Sequence, residues 1–335
     1  MQKTLHIDPE KCTGCLQCEM ACSFENYATY APSKSRIKVF DFHHTGKKVP
    51  YTCTQCDEAW CLHACPVEAI TIDKLSRLIG LPKCPHLIDV RTDEDFAADP
   101  RLIPGSRRRA FGSVEDWASE LDGQSAVLIC HHGLKLSHGT AAWLRHLGKD
   151  ANVLDGGHSA WAAANLPLIA DTRIPPRDAR GRTLWVTRSR PKIDRIACPW
   201  LIRRFVDPTA VFLFVAPMEV KGTAERFGGA PFDVEDTFWS HRGETCTFDT
   251  MLAEFGLATE PLGRLARIVR GADTARLDLA PQSEGLLAAS LGYSRMYRED
   301  LPQLDAAMGL YDAFYRWCRD ASEETHNWPS AKPKA

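Results

Sequence analysis

Two short stretches dominate this sequence: "CTGCLQCEMAC", residues 12–22, and "CTQCDEAWCLHACP", residues 53–66. Between them they hold eight of the 13 cysteines. The first run is Cys12, Cys15, Cys18 and Cys22, spaced C-x2-C-x2-C-x3-C. The second is Cys53, Cys56, Cys61 and Cys65, spaced C-x2-C-x4-C-x3-C and closed by Pro66. Three close thiolates suit one iron–sulfur cubane, and a fourth placed three residues on suits a neighbouring cluster. The spacing predicts two [4Fe–4S] clusters in crossed pairing. One would use Cys12, Cys15, Cys18 and Cys65, the other Cys53, Cys56, Cys61 and Cys22. Zinc is the rival reading, because C-x2-C pairs also make zinc knuckles. Gly14 fits the close backbone approach that N–H···S bonding needs.

Such a cysteine count means metal binding or catalysis only where thiols stay reduced. The sequence favours such a compartment. The start, "MQKTLHIDPEKC", has no apolar core of a secretory signal. Apolar runs such as "AVFLFVAPM" fall far short of the roughly 18–20 residues of a membrane span. A cytoplasmic protein with no membrane span is the expectation. The net charge of −2 supplies no global field for nucleic acid. A length of 335 residues leaves room for two or three domains.

Residues 1–73 resemble the dicluster ferredoxins, and more closely the electron-transfer subunits of molybdenum or tungsten oxidoreductases. That resemblance implies a ferredoxin-like iron–sulfur module and a redox partner protein. Those subunits carry four cysteine runs, whereas this sequence leaves the pattern after "PVEAITID" with two, so a truncated module is an open alternative.

After Asp73 the pattern changes. "KLSRLIG" predicts a short amphipathic helix stopped at Gly80. "HLIDVR", "SAVLIC" and "NVLDGG" read as strands, and "FAADPRLIPGS" as turns. "SVEDWASELD" reads as a helix with Ser113 at its N-cap and Asp116 completing a capping box. "HHGLKLSHGTAAWLRHLG" passes from loop to helix, and "HSAWAAANLPL" closes the unit. Strands alternating with helices predict a small parallel α/β sheet. Cys130 ends the second strand, ahead of a six-residue loop and a helix tip, where amides favour a thiolate.

"LIDVRTDEDF" with "IPGS", and "LDGGHSAW", resemble the opening and closing motifs of the rhodanese family over residues 74–170. The resemblance implies a sulfurtransferase. Cys130 would be the nucleophile, taking sulfur from a sulfane-sulfur donor and passing it to an acceptor, and Asp89 and Arg91 would brace its loop. The family's loop arginine is replaced by Lys135, followed by Leu136 and then Ser137. Lysine keeps the charge but loses the planar fork, which counts against thiosulfate as donor. His131 and His132 are candidates for tuning the pocket, and Cys84 reads as structural.

The polar stretch "DTRIPPRDARGR", residues 171–182, predicts a linker. Beyond it, residues 183–322 read as a mostly helical α+β domain, with 323–335 as a polar tail. "TLWVTR" and "AVFLFVAP" are predicted strands, the second buried. "KIDRIACPWLIRRFVD" reads as helical in its second half, with Pro199 near the first turn and Leu201, Ile202 and Phe205 facing the core. Residues 250–320 supply the apolar faces of a helical bundle. Arg188, Arg190, Lys192, Arg195, Arg203 and Arg204 form a basic run against one acid, Asp194. It reads as a solvated face or an oxyanion pocket. "WSHRGETCTFD" brings His241, Glu244 and Cys246 close in sequence, and with Asp273 these residue types suit a transition metal. Cys198 and Cys318 read as core residues.

"KIDRIACPWLIRRFVD", "FWSHRGETCTFD" and "IVRGAD" resemble the C-terminal domain of chromate-resistance proteins. The resemblance implies a role in tolerating or sensing chromate, a tetrahedral dianion suited to arginine. The expectation is a multidomain sulfurtransferase of the chromate-resistance type with an electron-transfer module and persulfide chemistry at Cys130. Two alternatives stand: a binding protein that senses redox state or oxyanion, and a ferredoxin fused without shared mechanism.

Overall fold

The computed structural model describes residues 12–42, 45, 47–51, 73–121 and 123–324. The second cysteine run, Cys53, Cys56, Cys61 and Cys65, and nearly all of the predicted tail lie outside the described residues. The chain divides into two compact units, residues 1–77 and 78–335. No helix among the described residues is long and apolar enough to cross a membrane.

In the first unit, helix α1 (Gln17–Tyr27) places Cys18 and Cys22 one turn apart on one buried face. Strands β1 (Lys38–Phe42) and β2 (Lys47–Tyr51) pair antiparallel, Phe40 opposite Val49. Cys18, Cys22 and Ile37 form a small core with Val39 against it. The buried carboxylate of Glu19 accepts the Val39 amide at 2.7 Å and so ties the helix to β1.

Helix α2 (Asp73–Leu78) ends before Gly80, as the sequence predicts. The second unit then builds two parallel sheets. The first contains β3 (His86–Asp89), β5 (Ser106–Arg108), β6 (Ala126–Ile129) and β7 (Ala151–Val153), in the order β5-β3-β6-β7. All its pairings are parallel, which requires crossover connections. Helices α3 (Asp93–Ala98), α4 (Val114–Ala118) and α5 (Lys135–His146) supply them, and α6 (Gly157–Ala163) follows the last strand. The core joins Ile88, Val90, Leu128 and Cys130 from the sheet to Trp117, Ala141 and Leu144 from the helices. The short strands β4 (Arg101–Leu102) and β8 (Ile169–Ala170) pair antiparallel and tie the start of this segment to its end.

Two local expectations are corrected by the structure. Ser113 stands at the N-cap of α4, but its side chain caps nothing. Its carbonyl accepts the Asp116 amide at 3.1 Å instead. The start of the turn-rich stretch is helical: Thr92 caps α3 by accepting the Asp95 amide at 3.1 Å, and three acids fill the first turn.

The second sheet has the order β10-β9-β11, with β9 (Leu184–Arg188), β10 (Val211–Val215) and β11 (Ala230–Pro231) all parallel. The sequence predicts a buried β10; the strand lies at an edge, and only its Phe212 is fully enclosed. "KIDRIACPWLIRRFVD" is helical over both halves, as α7 (Ile193–Leu201) and a wide turn, Ile202–Val206. Pro199 therefore sits in the helix interior rather than near its first turn. An interior proline costs about 3 kcal/mol, and burial of Ile193, Ile196, Trp200 and Leu201 offsets it. Leu201, Ile202 and Phe205 face the core as predicted.

Helices α8 (Val220–Phe227), α9 (Thr247–Glu254), α10 (Glu260–Asp273), α11 (Gln282–Met296) and α12 (Asp300–Arg316) complete this half. Its centre is Trp200, ringed by Phe205, Phe248, Tyr311 and Tyr315. The Trp200 indole N–H donates to Asp312 at 2.8 Å, so the buried polar handle is satisfied. The two halves of this unit meet: the Gly105 amide donates to the Phe205 carbonyl at 2.5 Å, and Arg173 pairs with Glu254 at 2.5 Å.

Candidate functional sites

Cys130 follows the last residue of β6, a central strand, and exposes 4% of its surface. The helix after it begins at Lys135, so the loop has four residues, His131–Leu134, rather than six. Lys135, Leu136 and Ser137 belong to the first helical turn. The Leu134 amide donates to the Cys130 Sγ at 3.2 Å, and the Ser137 hydroxyl lies 3.1 Å from the same sulfur. Ser137 also donates to the Leu134 carbonyl at 3.0 Å, which fixes its rotamer. The sulfur is thus packed against apolar side chains but faces two hydrogen-bonding groups.

The loop's position is set by two glycines that approach backbone to backbone. Gly133 has φ 69° and Gly157 has φ 58°. A Cβ on Gly157 would stand 2.3 Å from the Cys130 carbonyl oxygen and 2.4 Å from the Gly133 nitrogen. That closeness lets the Cys130 and His131 carbonyls accept the His158 and Ser159 amides, both at 2.9 Å. His132 Nδ1 lies 3.0 Å from the Ser159 hydroxyl, on the same seam. Lys135 is exposed at the helix start.

Asp89 and Arg91 brace a different segment from the one expected. The Arg91 guanidinium contacts Asp89 at 2.6–3.1 Å and donates to the Asp99 and Arg101 carbonyls at 2.9 and 2.8 Å. Both side chains are buried. They hold the turn into β4, where buried His158 also meets the Arg101 carbonyl at 3.0 Å. Burial and the Arg91 charge push the His158 imidazole below its usual range. Cys84 is half-buried, and desolvation pushes its thiol up to about 12.

In the C-terminal half, the structure gathers a different group from the one the sequence suggests. Nε2 of His241 lies 3.2 Å from Asp273 Oδ2, 3.4 Å from Asp233 Oδ1 and 3.5 Å from Asp194 Oδ2. Asp194 is the second residue of α7, Asp273 the last of α10, and Asp233 follows β11. Of the four expected ligands, His241 and Asp273 converge. Glu244 does not, because the Arg242–Thr245 turn, closed by two backbone hydrogen bonds, carries it outward. Cys246 lies near Asp194 but caps α9 instead, its thiol donating to Asp249 Oδ2 at 3.3 Å. Burial pushes that thiol far up. Asp194 and Asp233 are the members that sequence reasoning missed.

The electrostatics of this group follow from crowding. Burial, then the neighbouring Asp273 and Asp233 charges, push the Asp194 carboxyl well above the carboxylate range. The carboxylates of Asp233 and Asp273 push His241 up to about 10. Burial would raise Asp233, but contacts with His241 and Arg188 outweigh it and hold that carboxyl low. The basic run does not form one pocket. Arg203 pairs with Asp305, Arg204 with Asp312, and Arg190 donates to Asp300 only through its backbone while its guanidinium holds carbonyls of α11 and the turn after it. Arg188 and Arg195 share an acid, Asp233, at 3.0 and 3.3 Å.

In the first unit, Cys12 is half-buried, Cys15 exposed, and Cys18 and Cys22 buried. The Cys22 Sγ accepts the Arg36 amide at 3.3 Å. Burial alone would raise this thiol, yet hydrogen bonds from Ser35 and the Arg36 and Ile37 backbone bring it below its usual range. Gly14 has φ 71°. Four thiols within eleven residues, one already held toward its anion by amides, fit the donor set of an iron–sulfur cluster.

Three family models match the sequence: "ChrB, C-terminal domain" over residues 185–318, "Rhodanese-like domain" over 71–164, and "4Fe-4S binding domain" over 4–27. Protein ChrB of Cupriavidus metallidurans is 34% identical over 159 residues, 47% of this chain and 44% of that protein. The polyferredoxin-like subunit of an aliphatic sulfonate oxidoreductase from Pyrococcus furiosus is 44% identical over 68 residues, 20% of this chain and 39% of that one. A tetrathionate reductase subunit from Archaeoglobus fulgidus is 36% identical over 63 residues, 19% of this chain and 30% of that one. The chain spans less than half the length of each of these relatives. Among solved structures, a thiosulfate sulfurtransferase from Pseudomonas aeruginosa is 31% identical, with TM-score 0.26, covering 29% of this chain and 19% of that one. A rhodanese-like domain protein from Staphylococcus aureus is 27% identical, with TM-score 0.25, covering 27% and 87%. The protein is therefore multidomain: a 4Fe–4S ferredoxin-like motif, a rhodanese-like parallel sheet and a largely helical segment of the ChrB C-terminal type.

Proposed function

We propose that this protein is a chromate-resistance-type sulfur carrier with an electron-transfer module, and that Cys130 holds the sulfur. The observation that carries the reading is the pair of groups on the Cys130 sulfur, the Leu134 amide at 3.2 Å and the Ser137 hydroxyl at 3.1 Å. The Leu134 N–H can donate to the cysteine sulfur or to a persulfide's sulfur, and the Ser137 hydroxyl, which donates to the Leu134 carbonyl, presents a polar oxygen beside it. Transfer balances as a thiolate exchange. The Cys130 thiolate attacks the outer sulfur of a donor persulfide, a new S–S bond forms, and the donor leaves as its own thiolate. The reverse step delivers sulfur to an acceptor thiolate. Exposed Lys135 at the helix start offers a positive charge to an anionic donor. Asp89 and Arg91 act as positioning residues, through the frame rather than the sulfur.

At the N-terminus, Cys12, Cys15, Cys18 and Cys22 would hold iron–sulfur clusters together with Cys53, Cys56, Cys61 and Cys65. Two clusters in crossed pairing remain the reading of the spacing. When bound, such a group passes single electrons, which supports a redox partner protein. The relatives named as oxidoreductase subunits support that role.

The test uses anaerobically purified full-length protein and glutathione persulfide. The wild type should gain the mass of one sulfur atom on the peptide bearing Cys130, and Cys130→Ser should not. Absence of that increment with any sulfane donor would remove the reading. A second reading, an oxyanion-responsive binding protein, draws on Arg188 and Arg195 beside His241. There, titration with chromate should perturb tryptophan fluorescence in the wild type and not in Arg188→Ala; equal responses would remove it.

A further inference from the structure

We propose that Asp194, His241 and Asp273 bind one divalent first-row metal ion, with Asp233 beside them orienting the site. This goes beyond the sulfur-carrier reading and does not depend on it.

Three observations carry the assignment. The first is spacing. One ligand atom from each of the three residues lies within 4.8 Å of the others. The His241 nitrogen stands 3.2 and 3.5 Å from the Asp273 and Asp194 oxygens. Charge-assisted hydrogen bonds run about 2.7–2.9 Å, so these separations are long for direct pairing. They match the edges, roughly 3.0–3.5 Å, of a polyhedron whose donors each sit about 2.1 Å from an ion.

The second is an orphaned atom. Asp194 is 1% exposed. Its Oδ2 accepts the Thr247 and Phe248 amides at 2.5 and 3.3 Å, while its Oδ1 is enclosed with no hydrogen-bond partner. Enclosure with one oxygen unpartnered disfavours the ionised form of Asp194, and a bound cation would restore it.

The third is charge and outer support. Arg188 and Arg195 are committed to Asp233. Among the described residues, the cationic group shown within 4 Å of both Asp194 and Asp273 is His241, and Asp273 stands at the C-terminal end of α10, where a carboxylate opposes the helix dipole. Two carboxylates, with an imidazole whose proton the ion displaces, match a divalent charge. The outer contacts are those of a built site: Asp273 Oδ1 accepts the Asp194 amide at 3.3 Å, leaving Oδ2 toward His241, and Thr247 donates to Asp233 Oδ1 at 3.0 Å. Oxygen donors with one imidazole favour ions such as Mn²⁺ or Fe²⁺ over the soft ions that thiolates select.

The experiment uses the full chain and Mn²⁺, which the N-terminal thiols hold poorly, followed by loss of the free-ion EPR signal. The wild type should take up one Mn²⁺ per chain in a saturable manner. Asp273→Asn and His241→Ala should each weaken uptake at least tenfold, while Cys130→Ser and Asp305→Asn leave it unchanged. His241 is 40% exposed, so His241→Ala keeps the test valid if Asp273→Asn does not fold. No saturable uptake, or equal uptake by folded wild type and His241→Ala, overturns the proposal. A loss of thermal stability in His241→Ala with Mn²⁺ uptake intact overturns it as well, because the residue would then only bridge the acids.

Discussion

Replacing Gly157 by alanine tests whether the Cys130 loop is pinned by backbone contact. The residue has φ 58°, and an L side chain there costs about 1–2 kcal/mol. The new methyl would stand 2.3 Å from the Cys130 carbonyl oxygen and 2.9 Å from that of His131, at the nearer atom about 1 Å inside ordinary contact. Relief requires the loop to move outward. That motion stretches the Cys130–His158 and His131–Ser159 backbone bonds, both now 2.9 Å, each contributing about 1 kcal/mol. The expected loss is about 3–4 kcal/mol of a stability that for such domains is about 5–15. A loop shift of that size also carries the Leu134 amide off the sulfur, so persulfide loading should fall with stability. The control is Gly139→Ala: nothing lies within 4 Å of its added Cβ, and a mid-helix alanine should gain about 0.5–1 kcal/mol. Urea unfolding with tryptophan fluorescence, and mass spectrometry of the Cys130 peptide, measure the two effects. If Gly157→Ala unfolds within about 1 kcal/mol of wild type, the loop is not pinned. If it is destabilised but loads sulfur normally, the glycine seam serves the fold and not the thiol.

Arg91→Met should destabilise the protein by about 3–5 kcal/mol in urea unfolding, because it strands buried Asp89; adding Asp89→Asn should recover part of the loss, and an equally unstable double variant refutes the ion-pair account. His158 has a folded-state pKa below its unfolded value. Its stabilisation is complete above about pH 6.5 and lost as pH falls through the folded value. Between about pH 7.5 and pH 5, the fall in Tm should be smaller in His158→Gln than in wild type, and parallel curves would exclude the histidine. Cys15→Ser should lower the iron and acid-labile sulfide of anaerobic protein, while Cys84→Ser leaves both unchanged; zinc in place of iron would retire the cluster reading.

Much of the fold was legible because local chemistry and tertiary demand agree. The apolar runs of β3, β6 and β9 lie where the sequence puts them, since strands buried on both faces of a parallel sheet need continuous hydrophobicity. The helices after residue 246 follow their apolar spacing. Failures occur where a neighbour decides. Val211–Val215 reads as buried, but a strand's place in its sheet is not written in its own residues, and β10 falls at an edge. Pro199 reads as a helix start, but burial of Trp200 and Leu201 holds the helix through it. The cap at Thr92 was available, since a threonine before "DED" is a start signal.

The two candidate sites differ in the same way. The setting of Cys130 was legible because strand, thiol and helix tip adjoin in sequence; the four-residue loop, the segment that Asp89 and Arg91 hold and the contact with Ser137 were not. The acidic group could not be found so. Asp194 and Asp273 are 79 positions apart and meet through one backbone hydrogen bond. Sequence proximity suggested Glu244 and Cys246 as companions of His241, but a tight turn exports the first and a helix cap consumes the second. The signal that was present was the lone acid in a basic run. An aspartate at the second position of a buried, apolar helix, which α7 proves to be, has no solvent to face, and so must be answered by amides, by another residue or by an ion. The amides of Thr247 and Phe248 answer one of its oxygens. The other has no hydrogen-bond partner. The oxygen 3.5 Å from His241 is the amide-bonded Oδ2, so a cation at His241 is expected from the convergence of Asp194, His241 and Asp273 and not from that orphan alone.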